Sequence, residues 1–84
     1  MRVIIMSVVL KLSPLLRKYV EGYDHDQGIV LEKGAGKKVS QLIEEVAIPN
    51  EKVTSVLVNH RPSRIGYVAQ EGDLILLAMV IGGG

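Results

Sequence analysis

The chain has 84 residues, of which 48% are hydrophobic and 23% charged, and its formal net charge is +1. A chain of this length can bury only one hydrophobic core, and we therefore expect a single domain. The ten lysine and arginine residues are scattered along the sequence rather than clustered, so nucleic acid is not an expected partner. No cysteine is present, which excludes disulfides, thiolate metal ligands and a thiol nucleophile, and fits a reducing compartment.

The first apolar segment, Val3 to Leu10 after Arg2, has the outline of a short signal peptide. Lys11 ends the segment, however, and no small-residue cleavage site follows it. An apolar segment this short cannot span a bilayer. We therefore expect a cytoplasmic protein without a membrane partner, whose first element is a strand.

The first third of the chain predicts a strand, a short helix and a second strand. Residues 3–12 are rich in β-branched side chains, and alternate residues are expected to face the core. These expected core residues are Ile4, Met6, Val8 and Leu10. Ser13-Pro14 is typical of a helix start, which predicts a short helix that ends near Val20. After a polar loop, Gly28 to Lys33 predicts the second strand.

One amphipathic helix is predicted in the middle of the chain. Its apolar residues recur with the i, i+3, i+4, i+7 spacing of a helix that has one buried face. They are Val39, Leu42, Ile43 and Val46. The pattern ends before Pro49, because the residue that precedes a proline disfavours helical geometry.

The last third of the chain predicts strands. Val53 to Asn59 is expected to form a strand that turns at His60-Arg61-Pro62, and Ile65 to Ala69 to form a short edge strand. Glu71-Gly72-Asp73 predicts a turn, after which Leu74 to Ile81 forms the last strand.

The last strand is apolar on both of its sides. If Ile75, Leu77 and Met79 face the core, the alternate residues face the other way. A single helix covers only one face of a sheet, so we expect an exposed apolar patch that binds a partner. The residues of this patch are Leu76, Ala78, Val80 and Ile81. The alternative is that the two helices or self-association bury both sides of the strand.

The sequence ends in Gly82, Gly83 and Gly84. Glycine has no Cβ, so such a tail can enter a channel that is too narrow for other residues. An unpacked glycine run is also expected to be mobile. The tail therefore suggests chemistry or capture at Gly84, and the alternative is an artificial extension or a frayed end.

Taken together, these features resemble the small sulfur carriers of the MoaD/ThiS family, which have a ubiquitin-like β-grasp fold. The resemblance lies in the element order, in the turn Glu71-Gly72-Asp73 before an apolar strand, and in the terminal Gly83-Gly84. Gly36, Val39 and Leu42 occupy the positions of the family's Gly-x-Thr-Val-x-x-Leu helix start. The distance from the Gly-Asp turn to the last glycine also matches.

The resemblance implies an α+β fold of the ubiquitin-like β-grasp type. We expect a mixed four- to five-stranded sheet with one main amphipathic helix on one face and a short helix after strand 1. Residues 1–81 would form the domain, and residues 82–84 a flexible tail in which Gly82 and Gly83 precede the modified Gly84.

The resemblance also implies a carrier that is not an enzyme, with no catalytic residue, bound cofactor or metal of its own. An E1-like adenylyltransferase of the MoeB/ThiF type would bind the apolar patch and use ATP to adenylate Gly84. A sulfur donor would then convert the acyl-adenylate to a thiocarboxylate. The acceptor partner would be the large subunit of molybdopterin synthase or a thiazole synthase.

Two departures from the family pattern leave the pathway open. Ala78-Met79 stands where molybdopterin-type members often have Pro-Pro, which favours the thiamin type. The long segment 12–27 favours the molybdopterin type instead. A third departure, Lys38 in place of the usual threonine cap, is expected to weaken the start of the helix.

Two other function classes remain open. A ubiquitin-like protein modifier would use the same activated Gly84 to form an isopeptide bond with a target lysine. A noncovalent β-grasp binding module would tolerate deletion of the tail. Asp24-His25-Asp26 is a possible metal-ligand group, but we interpret it as a solvated loop that lacks convergent third and fourth ligands.

Overall fold

The computed structural model describes residues 7–79. Residues 1–6 and 80–84 lie outside the described part, and with them the predictions for Ile4, Met6, Val80, Ile81 and the three terminal glycines. The strands are β1 (Val8–Leu12), β2 (Ile29–Leu31), β3 (Ser55–Val58), β4 (Arg61–Ser63) and β5 (Leu74–Ala78). Helix α1 spans Val39–Glu45, and 3-10 helices span Pro14–Tyr19 and Asn50–Lys52.

The strands form one mixed sheet in the order β2-β1-β5-β3-β4. The first strand lies parallel to the last, with Val9 opposite Leu74 and Leu12 opposite Leu77. The pairs β1 with β2, β3 with β5, and β3 with β4 are antiparallel. A five-stranded mixed sheet with one main helix and a short helix after β1 confirms the predicted α+β fold of the β-grasp type.

The core lies between the sheet and α1. Every second residue of β1, β3 and β5 is buried, as the alternating pattern predicts. These buried strand residues are Val8, Leu10, Leu12, Val56, Val58, Ile75 and Leu77. Val39, Leu42 and Ile43 of α1 and Leu16 of the first 3-10 helix complete the core, each with 0% of its surface exposed.

The N-cap residue of helix α1 has no side-chain atom that can accept a hydrogen bond from the first turn. Lys38 occupies that position, and a lysine ammonium has no lone pair to accept a backbone N–H. Gln41 supplies half of a capping box, because its Oε1 accepts the N–H of Lys38 at 2.9 Å. Within residues 7–79, no helix is long and apolar enough to cross a membrane.

The predicted edge strand at Ile65 to Ala69 was wrong. The fourth strand is Arg61–Ser63, because Asn59 and His60 both take positive φ angles, 51° and 69°, and form a two-residue hairpin turn. Pro62 fits this edge strand because its missing N–H removes no bond from the interior of the sheet. The segment predicted as a strand makes a single bridge, between Val68 and Lys38.

Candidate functional site

The residues that alternate with the core residues form the outer face of the sheet, opposite α1. All of them lie on the same side of the five-stranded sheet, and most are apolar. We define the outer face as Val9, Lys11, Val30, Ser55, Leu57, Pro62, Leu74, Leu76 and Ala78. No helix within residues 7–79 covers this face. The apolar residues that this face takes from β1, β3 and β5 are half-buried, whereas Pro62 on β4 is exposed and Val30 on β2 is 55% exposed.

Two residues of the predicted partner-binding patch, Leu76 and Ala78, lie on the outer face and are half-buried. The other two, Val80 and Ile81, lie outside the described residues. The sheet register places Leu76 between Lys11 of β1 and Leu57 of β3. The apolar surface is therefore wider than one strand.

A small cavity opens on the outer face near the β3–β4 turn. Its volume is about 130 Å³, and its lining residues come from three strands and the turn. They are Lys11, Leu57, His60, Leu74 and Leu76. We call this feature the outer-face cavity. Sequence reasoning missed it because its residues are far apart in the chain and meet only through the strand order.

The end of β5 is hydrogen-bonded on both sides. The N–H of Ser13 donates to the carbonyl of Leu77 at 2.9 Å, and the Ser13 hydroxyl oxygen accepts the N–H of Met79 at 3.1 Å. On the other side the N–H of Thr54 donates to the carbonyl of Ala78 at 2.9 Å. Ser13 was predicted to cap a helix, but its hydroxyl makes no capping bond. Instead it fixes the last described residue.

The start of β5 is held by the buried carboxylate of Asp73. One oxygen accepts the Tyr67 hydroxyl and the Gln70 N–H, each at 2.8 Å, and the other accepts the Asn59 side-chain amide at 2.9 Å. The Oδ1 of Asn59 accepts the N–H of Leu74 at 2.9 Å, so the β3–β4 turn is tied directly to β5.

The hydrogen bonds around Asp73 also set its charge state. Burial raises the pKa of the Asp73 carboxyl, but the three donors oppose burial and together hold that pKa below its usual value. The same carboxylate raises the pKa of the Tyr67 hydroxyl, which donates to it. Asp73 is therefore an ionised structural group that accepts three hydrogen bonds, and not a free acid or base.

The loop Asp24-His25-Asp26 brings three potential ligand atoms within 4.8 Å of one another, closer than the sequence suggested. All three side chains are exposed. The Asp24 carboxylate accepts the N–H groups of Asp26 at 2.8 Å and Gln27 at 3.3 Å, and these bonds lower the pKa of Asp24. The arrangement is that of a loop in which an aspartate closes its own turn.

The chain matches no protein-family model, no characterised protein and no solved structure. The likeness to the small sulfur carriers therefore rests on the chain's own residues. The geometry that bears on that hypothesis is the outer face and the anchored end of β5.

Proposed function

We propose that this protein is a small sulfur carrier of the MoaD/ThiS type, with the Gly84 carboxylate as its reacting group. One observation supports the proposal above the others. The strand that leads toward the glycine tail, β5, lies at the centre of the sheet, and both of its neighbours hydrogen-bond its last residues. A β-grasp domain with this arrangement presents whatever follows Met79 from a fixed point.

The proposed chemistry needs no catalytic side chain in this chain. A carboxylate oxygen of Gly84 attacks the α-phosphate of ATP on an E1-like adenylyltransferase, and pyrophosphate leaves. A donor that supplies sulfur at the oxidation level of sulfide then attacks the acyl carbon of the adenylate; the bond to AMP breaks, AMP leaves, and Gly84 becomes a thiocarboxylate without a change of oxidation state. ATP belongs to the activating enzyme, and the use of ATP favours the cytoplasm as the site of the reaction.

The outer face is the proposed docking surface for the activating enzyme. Leu76 and Ala78 lie in the last half of β5, the strand that precedes the tail in the sequence, so an enzyme that holds this face is also close to the point where the chain continues after Met79. A standard interface covers about 800 Å² of each partner, whereas the whole chain has a surface of 5764 Å². One such partner would cover about a seventh of that surface.

The terminal group of the protein isolated from its own cells tests the proposal. Intact-mass measurement should find replacement of one oxygen by sulfur at Gly84 in part of the population. Deletion of Gly84 and Gly83→Val should each abolish this mass shift and leave the unfolding curve unchanged, because a glycine tail adds little buried area.

Gly66→Ala is the matched control, since a Cβ at Gly66 would meet no atom within 4 Å. This variant should be charged like the wild type. Normal adenylation of the Gly83→Val or Gly84-deleted protein would contradict the proposed mechanism. Conjugates that survive denaturing gels would identify the protein as a ubiquitin-like modifier instead. The sulfur acceptor is either a molybdopterin precursor or the thiazole of thiamin. Incubation of the thiocarboxylate form with each synthase distinguishes them, because only the correct synthase accepts its sulfur.

A further inference from the structure

The outer-face cavity combines an apolar floor with a basic rim. Leu57, Leu74 and Leu76 form the floor, and Lys11 and His60 contribute the polar groups of the lining. The volume of about 130 Å³ is roughly ten times the ~10–15 Å³ that a single water molecule needs in a cavity, so there is room for one aliphatic side chain. Protein interfaces concentrate binding energy where such a side chain fills a desolvated pocket.

Lys11 is the only charged residue of the outer face, and no residue of that face is acidic. Within residues 7–79, the lysine–carboxylate ion pair is Lys37 with Glu45, and the His25 ring lies 3.3 Å from the Asp26 carboxylate; neither contact involves Lys11. The positive charge of Lys11 is the smallest of the influences that act on the pKa of the Asp24 carboxyl. The lysine therefore lies half-buried beside an apolar cavity with no carboxylate at salt-bridge distance among the described residues.

We propose that this cavity is a specificity pocket that receives an aliphatic side chain adjacent to a carboxylate on a partner protein, with Lys11 pairing with that carboxylate. The leucine residues of the lining favour the aliphatic side chain, and the Lys11 ammonium favours the carboxylate. The identity of the partner, the activating enzyme, rests on the proposed function. Lys11 is a recognition residue, and the sulfur chemistry does not involve it.

Charge disfavours a second copy of this chain as the occupant. In a two-fold dimer the same face is used by both subunits, so each Lys11 would meet outer-face residues, none of which has a carboxylate. Burial of a cation without a partner is costly, whereas a partner that supplies a carboxylate satisfies the cation and fixes the orientation of docking.

A pair of small probes tests the pocket independently of any enzyme. The carboxylate 4-methylpentanoate joins a leucine-like group to a negative charge, and 4-methylpentanamide is its neutral counterpart. In NMR titrations the carboxylate should shift the amide signals of Leu57, Leu74 and Leu76 saturably. It should bind about two- to fivefold more tightly than the amide, the range of one partly exposed ion pair.

Two lysine variants make this comparison specific. Lys11→Met should bring the two probes to equal affinity, whereas Lys33→Met, an exposed lysine outside the outer face, should keep the difference. The absence of saturable shifts with either probe overturns the pocket. Equal binding of both probes by the wild-type protein overturns the role of Lys11.

The activating enzyme provides the second readout. In an adenylation assay Lys11→Glu should raise KM for the carrier by about three- to tenfold and leave kcat unchanged, because a rim charge acts on docking. Lys33→Glu should leave both constants unchanged. An unchanged KM for Lys11→Glu overturns this proposal and leaves the sulfur carrier intact. An enzyme that fails to adenylate even the wild-type protein contradicts the proposed function, and the probe titration still tests the pocket.

Analytical ultracentrifugation of the free protein measures its oligomeric state and tests whether a second copy covers the outer face. We expect a monomer. A dimer that Leu76→Ser dissociates would show that a second copy covers the outer face, and would overturn the proposal.

Discussion

The two faces of the sheet are built from the same strands and are both apolar, but they differ in burial. On the inner face Val8, Leu10, Ile75 and Leu77 each have 0% of their surface exposed, because α1 covers them. On the outer face, Leu74 and Leu76 alternate with those residues and stay half-buried. Hydrophobic residues along one strand therefore have two roles: the inner set stabilises the fold, and the outer set is available to a partner.

Two substitutions at adjacent positions of β5 test the difference in burial between the two faces. Leu77→Ala should lower the free energy of unfolding by about 2–5 kcal/mol, because it removes buried methyl groups and leaves a cavity. Leu76→Ala, one residue earlier on the outer face, should cost about 1 kcal/mol. Urea unfolding of both variants measures the difference. Equal losses would mean that the outer face is as buried as the inner face.

A second difference between the faces is charge: Asp73 is the buried charged residue among residues 7–79, whereas the outer face has no carboxylate. Asp73→Asn should destabilise the fold by about 2–3 kcal/mol, because it removes charge-assisted hydrogen bonds from Tyr67 and Gln70. Tyr67→Phe is the matched control that removes one donor, and it should cost about 1 kcal/mol. If the asparagine variant unfolds like the wild type, the network adds no stability.

The pH dependence of stability is part of the same prediction. The folded-state pKa of Asp73 lies below its ordinary value of 3.8, so the carboxylate stabilises the fold above that pH. This contribution is lost as the pH falls through the folded-state pKa. The difference in stability between the wild type and Asp73→Asn should therefore narrow in acid. A constant difference across that range would mean that another group is responsible.

The smallest expected effect concerns the edge of the outer face. Gly28 has a φ of +73°, and a Cβ there would lie 2.5 Å from the carbonyl oxygen of Leu10 and near the side chains of Val9 and Lys11. Gly28→Ala should cost about 2 kcal/mol. Gly22 has a similar φ of +74° with no atom within 4 Å, so Gly22→Ala should show only the backbone cost, about 1 kcal/mol. Thermal unfolding measures both variants, and equal losses would show that the contact with Leu10 is relieved.

Sequence periodicity correctly predicted the main helix, the succession of the main strands along the chain and, within residues 7–79, the buried positions of β1 and β5, because these depend on local alternation and spacing. It misplaced β4 because Asn59 and His60 were not recognised as a turn. Proline at position 62 then suggested a turn rather than an edge strand. The positive φ angles of Asn59 and His60 therefore set where β4 begins.

The candidate site was predictable only in part. The alternation of β5 placed Leu76 and Ala78 away from the core, and both lie on the outer face. Lys11, Leu57 and His60 join Leu76 in one cavity only because β5 lies between β1 and β3, and strand order depends on contacts between distant parts of the chain. The anchoring role of the Ser13 hydroxyl also depends on such a contact, 66 positions along the chain.

The central position of β5 has a consequence for how the protein folds. Without β5 the remaining strands form two separate pairs, β1 with β2 and β3 with β4, that share no ladder. The pairing of Val9 with Leu74 joins residues from opposite ends of the domain, a contact that forms slowly because a long loop must close first. A ribosome-bound chain therefore cannot complete its sheet until β5 has emerged, so assembly of the sheet follows synthesis of its last strand.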